Sequence, residues 1–300
     1  HGRPSDADGD LAQMRLGRGS FVAAPAALVA AVAAAQTVHN PPIPAGTSEP
    51  LARPADFKLV WSDEFDKPGA PDPGKWRYDT SRNKEGWYNN ELQYYAADRR
   101  ENARVEGGKL VIEARKERLA DKPDFGGQDY ASAKLVTQGL ADWKYGFIEV
   151  RARLACGRGI WPAIWMLGSG GRDGWPMMGE IDIMEHVGWD PGRVHGNVHT
   201  KAYNHVAKTQ KGSNVMLPDA CTGFHDYQLD WNEDRILIGV DGRAYMRFDN
   251  DKKQNRETWP FGTPEYLILN VAVGGWGGQM GIDPAAFPAR MEVEYVRVWQ

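Results

Sequence analysis

Cysteine is scarce in this sequence of 300 residues, which contains only Cys156 and Cys221. Two cysteines exclude a disulfide-built scaffold and a structural zinc finger, because both need more of them. Positive charge is not in excess either, since the formal net charge is −4 at pH 7. This balance argues against nucleic acid or an anionic membrane as a partner. No long helical pattern is present, so a βαβ nucleotide-binding fold is not expected.

Aromatic residues and turn-forming residues are abundant instead. The chain contains 12 Trp, 34 Gly and 19 Pro, and 42% of its residues are hydrophobic. The hydrophobic fraction is ordinary for a globular protein. Many aromatic side chains together with many turn residues favour a β protein that has an aromatic-lined surface.

The first 55 residues differ in composition from the remainder. Met14 to Arg18 is basic and leads into an Ala/Val run from Phe21 to Ala35, which ends in small residues. This order is typical of a secretory signal peptide, with Met14 as the biological start and residues 1–13 upstream of it. A disordered Ala-rich leader is the alternative. Residues 36–55 contain five prolines and predict an extended linker.

From residue 56 to residue 300 the pattern predicts one domain built of short strands. Alternation is plain in 147–154, and Asp241-Gly242 between two apolar runs predicts a type I′ hairpin. The fold class expected is an all-β antiparallel sandwich, or jelly roll. The predicted strands are Phe57–Trp61, Lys109–Arg115, Phe147–Leu154, Ala163–Leu167, Glu180–Val187, Val194–Thr200, Asp226–Trp231, Ile236–Val240, Ala244–Phe248, Tyr266–Val273 and Met291–Trp299.

Three acids lie in one apolar strand, Glu-Ile-Asp-Ile-Met-Glu-His at 180–186. Side chains alternate along a strand, so Glu180 and Asp182 share one face. Glu185 has the wrong parity, and one extra residue near Met184, a β-bulge, brings it to that face. Three carboxylates in a row are costly for stability, because like charges raise one another's pKa.

Such a carboxylate cluster suits glycoside hydrolysis. In that reaction one carboxylate attacks the anomeric carbon and a second, protonated carboxyl donates to the leaving oxygen. A solvated acidic strand edge and a calcium site of three oxygens are the alternatives. The apolar residues between the acids and the aromatic surroundings favour catalysis.

The strand at 180–186 resembles the signature of glycoside hydrolase family 16, in the laminarinase-like branch whose motif is a bulged E-x-D-x-x-E. Six further segments in chain order agree with this resemblance, and they are Trp61–Phe65, Asn89–Tyr95, Gly159–Leu167, His195–Thr200, Asn270–Gly275 and Glu294–Trp299. The resemblance implies a jelly roll with a glycan cleft on its concave face and retaining, double-displacement cleavage of β-glucans. It further implies Glu180 as nucleophile, Asp182 as assisting carboxylate and Glu185 as general acid/base.

A glycan cleft needs flat aromatic platforms and hydrogen-bonding groups. Trp161 and Trp165 are four apart in one predicted strand and therefore share a face, although either one alone could equally belong to the core. The full set expected to bind substrate is Asn89, Asn90, Lys134, Trp161, Trp165, Trp175, His199 and Trp276.

Two of these expectations carry their own alternatives. His195 and His199 share a strand face, but a zinc pair lacks a third ligand, so a hydrogen bond from a histidine to sugar or carboxylate is favoured. Lys134 stands in Ser-Ala-Lys-Leu where relatives often have arginine, and lysine lacks the planar guanidinium fork.

The resemblance also implies positions for a structural calcium ion. No other cofactor is expected. The matching positions are Glu64, Gly108 and Glu294, but Glu294 stands where aspartate is usual. Cys156 and Cys221 are expected to form a disulfide in an exported protein, with two separate buried thiols as the alternative.

The sequence therefore predicts a secreted, monomeric endo-β-1,3-glucanase, extracellular or periplasmic, that acts on laminarin-like polymers. It predicts no nucleic-acid partner and no membrane insertion of the mature form. Mixed-linkage glucan, galactan and glycosyl transfer to sugar are alternatives that use the same catalytic groups. A non-catalytic glycan-binding protein is a further alternative, against which the complete acidic triplet counts.

Overall fold

The computed structural model describes residues 49–170 and 173–300, which form β-strands joined by irregular loops and three short 3-10 helices. The helices span Tyr88–Asn90, Gly275–Gly278 and Pro284–Ala286. The strands are β1 Leu59–Asp63, β2 Arg77–Tyr78, β3 Gln93–Tyr95, β4 Ala103–Glu106, β5 Lys109–Ala114, β6 Tyr130–Ser132, β7 Lys134–Val136, β8 Gly146–Arg153, β9 Ile160–Gly168, β10 Glu180–His186, β11 Arg193–His199, β12 Lys211–Met216, β13 His225–Trp231, β14 Arg235–Val240, β15 Arg243–Asp249, β16 Glu265–Val273 and β17 Ala289–Trp299.

Two large antiparallel sheets make up the domain. The eight-stranded sheet has the order β15-β14-β13-β8-β17-β5-β4, and β1 pairs with β17. The seven-stranded sheet has the order β12-β11-β10-β9-β16-β7-β2. A small parallel pair, β3 with β6, lies outside both sheets. This is the antiparallel sandwich that the sequence predicts.

The core lies between the two sheets and follows the strand alternation. In β8, Ile148 and Val150 are completely buried, and in β16 Leu267, Leu269 and Val271 are completely buried. All five belong to one continuous apolar cluster that both sheets contribute to. Each sheet therefore turns one face inward and has one outer face.

Every strand predicted from the sequence is confirmed, with bounds that differ by a few residues. The Asp241-Gly242 turn joins β14 to β15, and both residues have positive φ, 50° and 80°, as a type I′ turn requires. The strands missed are short or polar. They are β2, β3, β4, β6, β7 and β12.

The predicted leader (residues 1–35) and most of the linker (36–55) lie outside the described residues. The described end of the linker, from residue 49, is folded onto the domain. Leu51 is only 2% exposed and packs with Phe147 and Leu237, and its amide donates to the Gly242 carbonyl at 2.8 Å. No helix within the described ranges is long and apolar enough to cross a bilayer.

The two cysteines are joined in a disulfide, Cys156–Cys221, across 65 residues of sequence. It links the segment that follows β8 to the segment that precedes β13. The pairing expected from the sequence is thus the pairing in the structure.

Candidate active site

The three acids of β10 lie on one face because the strand contains a bulge. Against β11, Asp182 pairs with Asn197 and Glu185 pairs with His195, so β10 uses one residue more than its partner over this stretch. The register with β9 shifts in the same place, between Asp182 and Met184. The predicted bulge is therefore confirmed.

The bulge also sends two consecutive side chains into the core. Ile183 and Met184 are both fully buried and belong to the central apolar cluster. Glu180, Asp182 and Glu185 consequently all lie on the outer face of the seven-stranded sheet, which is here called the acid face.

Strand β11 presents a matching row of polar side chains. His199 pairs with Glu180, Asn197 with Asp182, and His195 with Glu185. His195 and His199 thus share a face, as the alternation predicts. Asn197 was not singled out from the sequence, although its parity placed it between these histidines.

Glu185 is held by two N–H donors. The Asn197 amide donates to Glu185 Oε2 at 2.7 Å, and the Trp161 indole donates to Oε1 at 3.2 Å. Burial is the main cause that raises the pKa of Glu185, to about 7, and the charge of Glu180 raises it further. The two hydrogen bonds and His199 oppose this rise. A glutamic acid that is protonated near neutral pH can serve as a proton donor.

Glu180 receives its hydrogen bond from a loop residue. The indole of Trp175, in the loop between β9 and β10, donates to Glu180 Oε2 at 2.6 Å. Burial, followed by the charge of Asp182, raises the pKa of Glu180 to about 8. The loop tryptophan therefore fixes one oxygen of this carboxyl and leaves Oε1 without that bond.

Asp182 lies between the two glutamates and is 2% exposed. Burial, followed by the charge of Glu185, raises the pKa of Asp182 well above its ordinary value. Three buried carboxyls this close together cannot all be ionised at low cost, so the cluster retains protons at neutral pH.

Aromatic rings flank the acids on both sides. Next to Glu185, the ring of Trp276 lies 5.8 Å from that of Trp161 and 4.8 Å from that of His195. Next to Glu180, the Trp175 ring lies 5.0 Å from that of His205. The acids therefore lie between two aromatic groups, an arrangement that suits a sugar chain running over them.

Trp165 lies on the same face of β9 as Trp161, and both are half-buried, as the four-residue spacing predicts. Its indole donates to Asn270 Oδ1 at 2.7 Å. The Lys134 ammonium lies 5.3 Å from the Trp165 ring centroid and 2.8 Å from Asp79 Oδ2. Lys134 is thus placed at the acid face, but its charge is already paired and supports the tryptophan.

Asn89 and Asn90 lie at the rim, exposed, in the helix Tyr88–Asn90. A Cβ on Gly275 would lie 3.0 Å from the Asn89 carbonyl oxygen and 3.0 Å from the Trp161 ring. Gly275 also has φ of 53°, so this close approach needs glycine. The contact places both asparagines beside the segment that carries Trp276.

The residues expected to hold calcium are engaged elsewhere. Arg297 donates to both oxygens of Glu64, at 3.0 and 2.8 Å, and Arg151 donates to Glu294 at 2.7 Å. Gly108 lies in the β4–β5 turn. An ion would have to displace both arginines, so the set as placed does not fit calcium, and a calcium requirement stays a prediction.

Residues 90–297 match the family model described as glycosyl hydrolases family 16. The chain belongs to this family. It is 54% identical to the β-glucanase of Rhodothermus marinus over 252 residues, and the match covers 81% of this chain and 85% of that relative.

Two solved structures of family 16 enzymes resemble the fold. A mutant of SCLam, a non-specific endo-β-1,3(4)-glucanase with 1,3-β-D-cellobiosyl-glucose at its active site, has 70% identity and a TM-score of 0.84, covering 84% of this chain and 98% of that one. The laminarinase of Rhodothermus marinus has 53% identity and a TM-score of 0.77, covering 81% and 97%. The resemblance expected from the sequence is confirmed, and the chain is a glycoside hydrolase.

Proposed function

We propose that this family 16 enzyme cleaves internal β-1,3-glucosidic bonds of laminarin-like glucans with retention of configuration. The observation that carries the proposal is the bulge, which brings Glu185 to the face of Glu180, where each glutamate accepts a hydrogen bond from a different indole. The β-glucanase and laminarinase names of the relatives support the substrate class.

In the first step, Glu180 Oε1 attacks the anomeric carbon and Glu185 protonates the leaving glycosidic oxygen. The Trp175 indole holds Oε2, so the attacking oxygen is oriented before substrate arrives. In the second step, Glu185 removes a proton from water, and that water releases the sugar from Glu180. The order of these steps requires Glu180 ionised and Glu185 protonated at the start, and because the pKa of Glu180, about 8, exceeds that of Glu185, about 7, this is the minor of the two singly protonated forms of the pair.

Asp182 assists by holding a proton between the two glutamates. Its carboxyl lies 3.2 Å from His199 Nε2, so a charge on Asp182 can be balanced by the imidazole. A cluster that keeps one proton on Asp182 lowers the repulsion that ionised Glu180 experiences. The half-buried rings of Trp161 and Trp165 supply flat surfaces against which glucose rings stack.

Mixed-linkage glucan is a second candidate substrate. SCLam, 70% identical to this chain, is described as a non-specific endo-β-1,3(4)-glucanase. The alternative keeps both glutamates in the same roles and changes only which glucans the cleft accepts.

The test measures release of reducing sugar and fall of viscosity on laminarin and on lichenan, with proton NMR of the first anomer formed. We expect rapid viscosity loss on laminarin and a β-anomer as first product. Glu180→Ser and Glu185→Gln should lower kcat by at least about 100-fold. Glu149→Gln, which changes a carboxylate of the eight-stranded sheet, is the matched control. A first product of inverted configuration, or near-native turnover in either variant, would contradict the assignment.

We also infer that the protein is exported. The basic and apolar order of residues 14–35 and the Cys156–Cys221 disulfide support export. Mass spectrometry of protein recovered outside the cytoplasm gives the amino terminus. A product that still carries residues 14–35 would contradict the signal peptide.

A further inference from the structure

Three potential metal ligands converge on the acid face, and together they are called the His199 cluster: Glu180, Asp182 and His199. One ligand atom from each lies within 4.8 Å of the others. His199 Nε2 lies 3.2 Å from Asp182 Oδ2 and 3.9 Å from Glu180 Oε1. All three side chains are largely buried, since their exposed fractions are 15%, 3% and 7%.

The cluster has an unsatisfied acceptor. The Asp182 side chain is hydrogen-bonded to Glu180, but its Oδ2 atom is buried and accepts no N–H donor from the described residues, despite its closeness to His199 Nε2. A buried carboxylate oxygen without a donor is costly unless a cation or a proton satisfies it. Either the proton that Asp182 holds during hydrolysis or a cation in the free enzyme can satisfy this atom.

We propose that the His199 cluster binds one zinc ion, which takes His199 Nε2, Asp182 Oδ2 and Glu180 Oε1 as ligands. Zinc bonds to imidazole nitrogen and carboxylate oxygen of about 2.0–2.2 Å place the ligand atoms of a tetrahedron about 3.4 Å apart. The two measured separations bracket this value. A small rotation of the Glu180 side chain closes the longer one.

Other ligands and contacts of the site agree with this placement. Trp175 binds Glu180 Oε2 and so leaves Oε1 for the ion. His195, which the alternation placed with His199, pairs with Glu185 instead and contacts the Trp276 ring, so it is not needed as a ligand. The second histidine cluster in the described ranges, His186 with Cys156 and Cys221, has its sulfurs in the disulfide and offers no thiolate.

A zinc ion at this position blocks the proposed chemistry. It covers the Glu180 oxygen that would attack the anomeric carbon, so zinc and glucan exclude each other. The ion therefore acts as a reversible inhibitor of the free enzyme, with a water molecule or hydroxide as fourth ligand. The inhibition rests on the proposed function, whereas the metal binding itself does not.

The experiment uses the full chain, stripped with EDTA and dialysed against ZnCl2, with zinc counted by atomic absorption and affinity measured by calorimetry. We expect a zinc ion bound per chain that His199→Gln removes or weakens by at least about tenfold, since losing even an outer-shell partner costs that much. Mg²⁺ should not compete, because an imidazole-containing set disfavours it.

A matched control is available in His225, which also lies between two carboxylates. Its Nδ1 lies 2.7 Å from Asp241 and its Nε2 lies 3.2 Å from Asp219, so the two acids are on opposite nitrogens and cannot share one ion with it. His225→Gln should leave zinc binding unchanged. Asp182→Asn serves as the second variant if His199→Gln fails to fold, and should weaken binding likewise.

Unchanged stoichiometry and affinity in a folded His199→Gln or Asp182→Asn protein would overturn the proposal, as would the absence of zinc binding in the native chain. A separate assay tests the competition between zinc and glucan. A rising glucan concentration should reverse the inhibition of hydrolysis by zinc. If the protein binds zinc through His199 but hydrolyses no glucan once the zinc is removed, the proposed function is contradicted and the metal site is still supported.

Discussion

Glu185 has a proton affinity that is set by the groups around it. Burial raises the pKa of this carboxyl to about 7, while the indole of Trp161 and the amide of Asn197 stabilise the ionised form. The general acid must be protonated at the start of the reaction, so activity falls as pH rises through this pKa.

Replacing Trp161 by phenylalanine tests this balance. The variant keeps a flat ring but loses the N–H donor, so the ionised form of Glu185 is less stable and its pKa rises. A hydrogen bond to a charged group contributes about 1.5–3 kcal/mol, which corresponds to about one pKa unit or more. We expect the alkaline limb of kcat/KM to move upward by about one pH unit.

Trp189→Phe is the control, because the Trp189 indole donates its hydrogen bond to the Trp276 carbonyl and not to the Glu185 carboxyl. Its alkaline limb should stay in place. An alkaline limb that does not move in Trp161→Phe, or that moves to lower pH, would show that this hydrogen bond does not control the acid.

At the scale of the strand, β10 combines a regular half and a bulged half. The bulge lets Glu185 share a face with Glu180, although five positions separate them. Removing one residue from the bulge leaves the sequence E-x-D-x-E, in which plain alternation puts all three acids on one face. A deletion here therefore conserves the acid face at close spacing, whereas an insertion keeps the parity but moves Glu185 two residues further from Glu180 along the strand than the deletion does.

Deletion of Met184 should give a folded protein with measurable hydrolysis. It removes a fully buried core side chain, so the free energy of unfolding should fall by about 2–5 kcal/mol. Insertion of one alanine after Asp182 should abolish hydrolysis, because Glu185 then lies about 6.6 Å further along a regular strand from Glu180 than it does after the deletion. Denaturant unfolding and reducing-sugar assays measure both. An active insertion variant would contradict this account of the bulge.

Long apolar strands could be predicted from the sequence, and short polar ones could not. β16 is a continuous apolar run, and its predicted bounds match the structure to within one residue. The composition of β12, with Gly212, Ser213 and Asn214, is instead typical of a turn. β12 is an edge strand beside the polar row of β11, so its polar residues reflect position in the sheet. That position is a tertiary property, which no local pattern encodes.

The candidate site divides in the same way. Trp161, Trp165 and the acids follow from spacing within a single strand. Asn270 binds Trp165 from a strand 105 residues away in sequence, and Asp79 pairs with Lys134 from the segment directly after β2. Such partners depend on which strands become neighbours, so parity within one strand could not reveal them.

For the molecule as a whole, the acid face is a source of instability as pH rises. The pKa of Glu180 is about 8 in the folded state and near 4.5 when unfolded. Below pH 4.5 both states are protonated, and between these values the folded state binds more protons. The stabilising contribution of the protonated form is therefore lost as pH rises toward 8.

Glu180→Gln should remove this pH dependence. Its Tm should match that of the native chain at pH 4 and exceed it at pH 8 by several degrees, because a pKa raised from 4.5 to about 8 corresponds to about 4 kcal/mol at pH 8 and each kcal/mol shifts Tm by about 2–4 °C in a domain of this size. Calorimetry at both pH values measures this. Burial lowers the pKa of His186 to about 4, which weakens both proteins equally in acid. A Tm difference that is the same at both pH values would contradict the argument.

Leu51 determines where the chain reaches the folded domain. Together with Phe147, Leu237 and Ala244 it covers the outer surface of the eight-stranded sheet, whereas the glutamates occupy the outer surface of the opposite sheet. An affinity tag or a solid support joined directly to Glu49 is thus attached on the side of the eight-stranded sheet, opposite the acid face. Immobilisation through Glu49 therefore leaves the acid face accessible to long glucan chains.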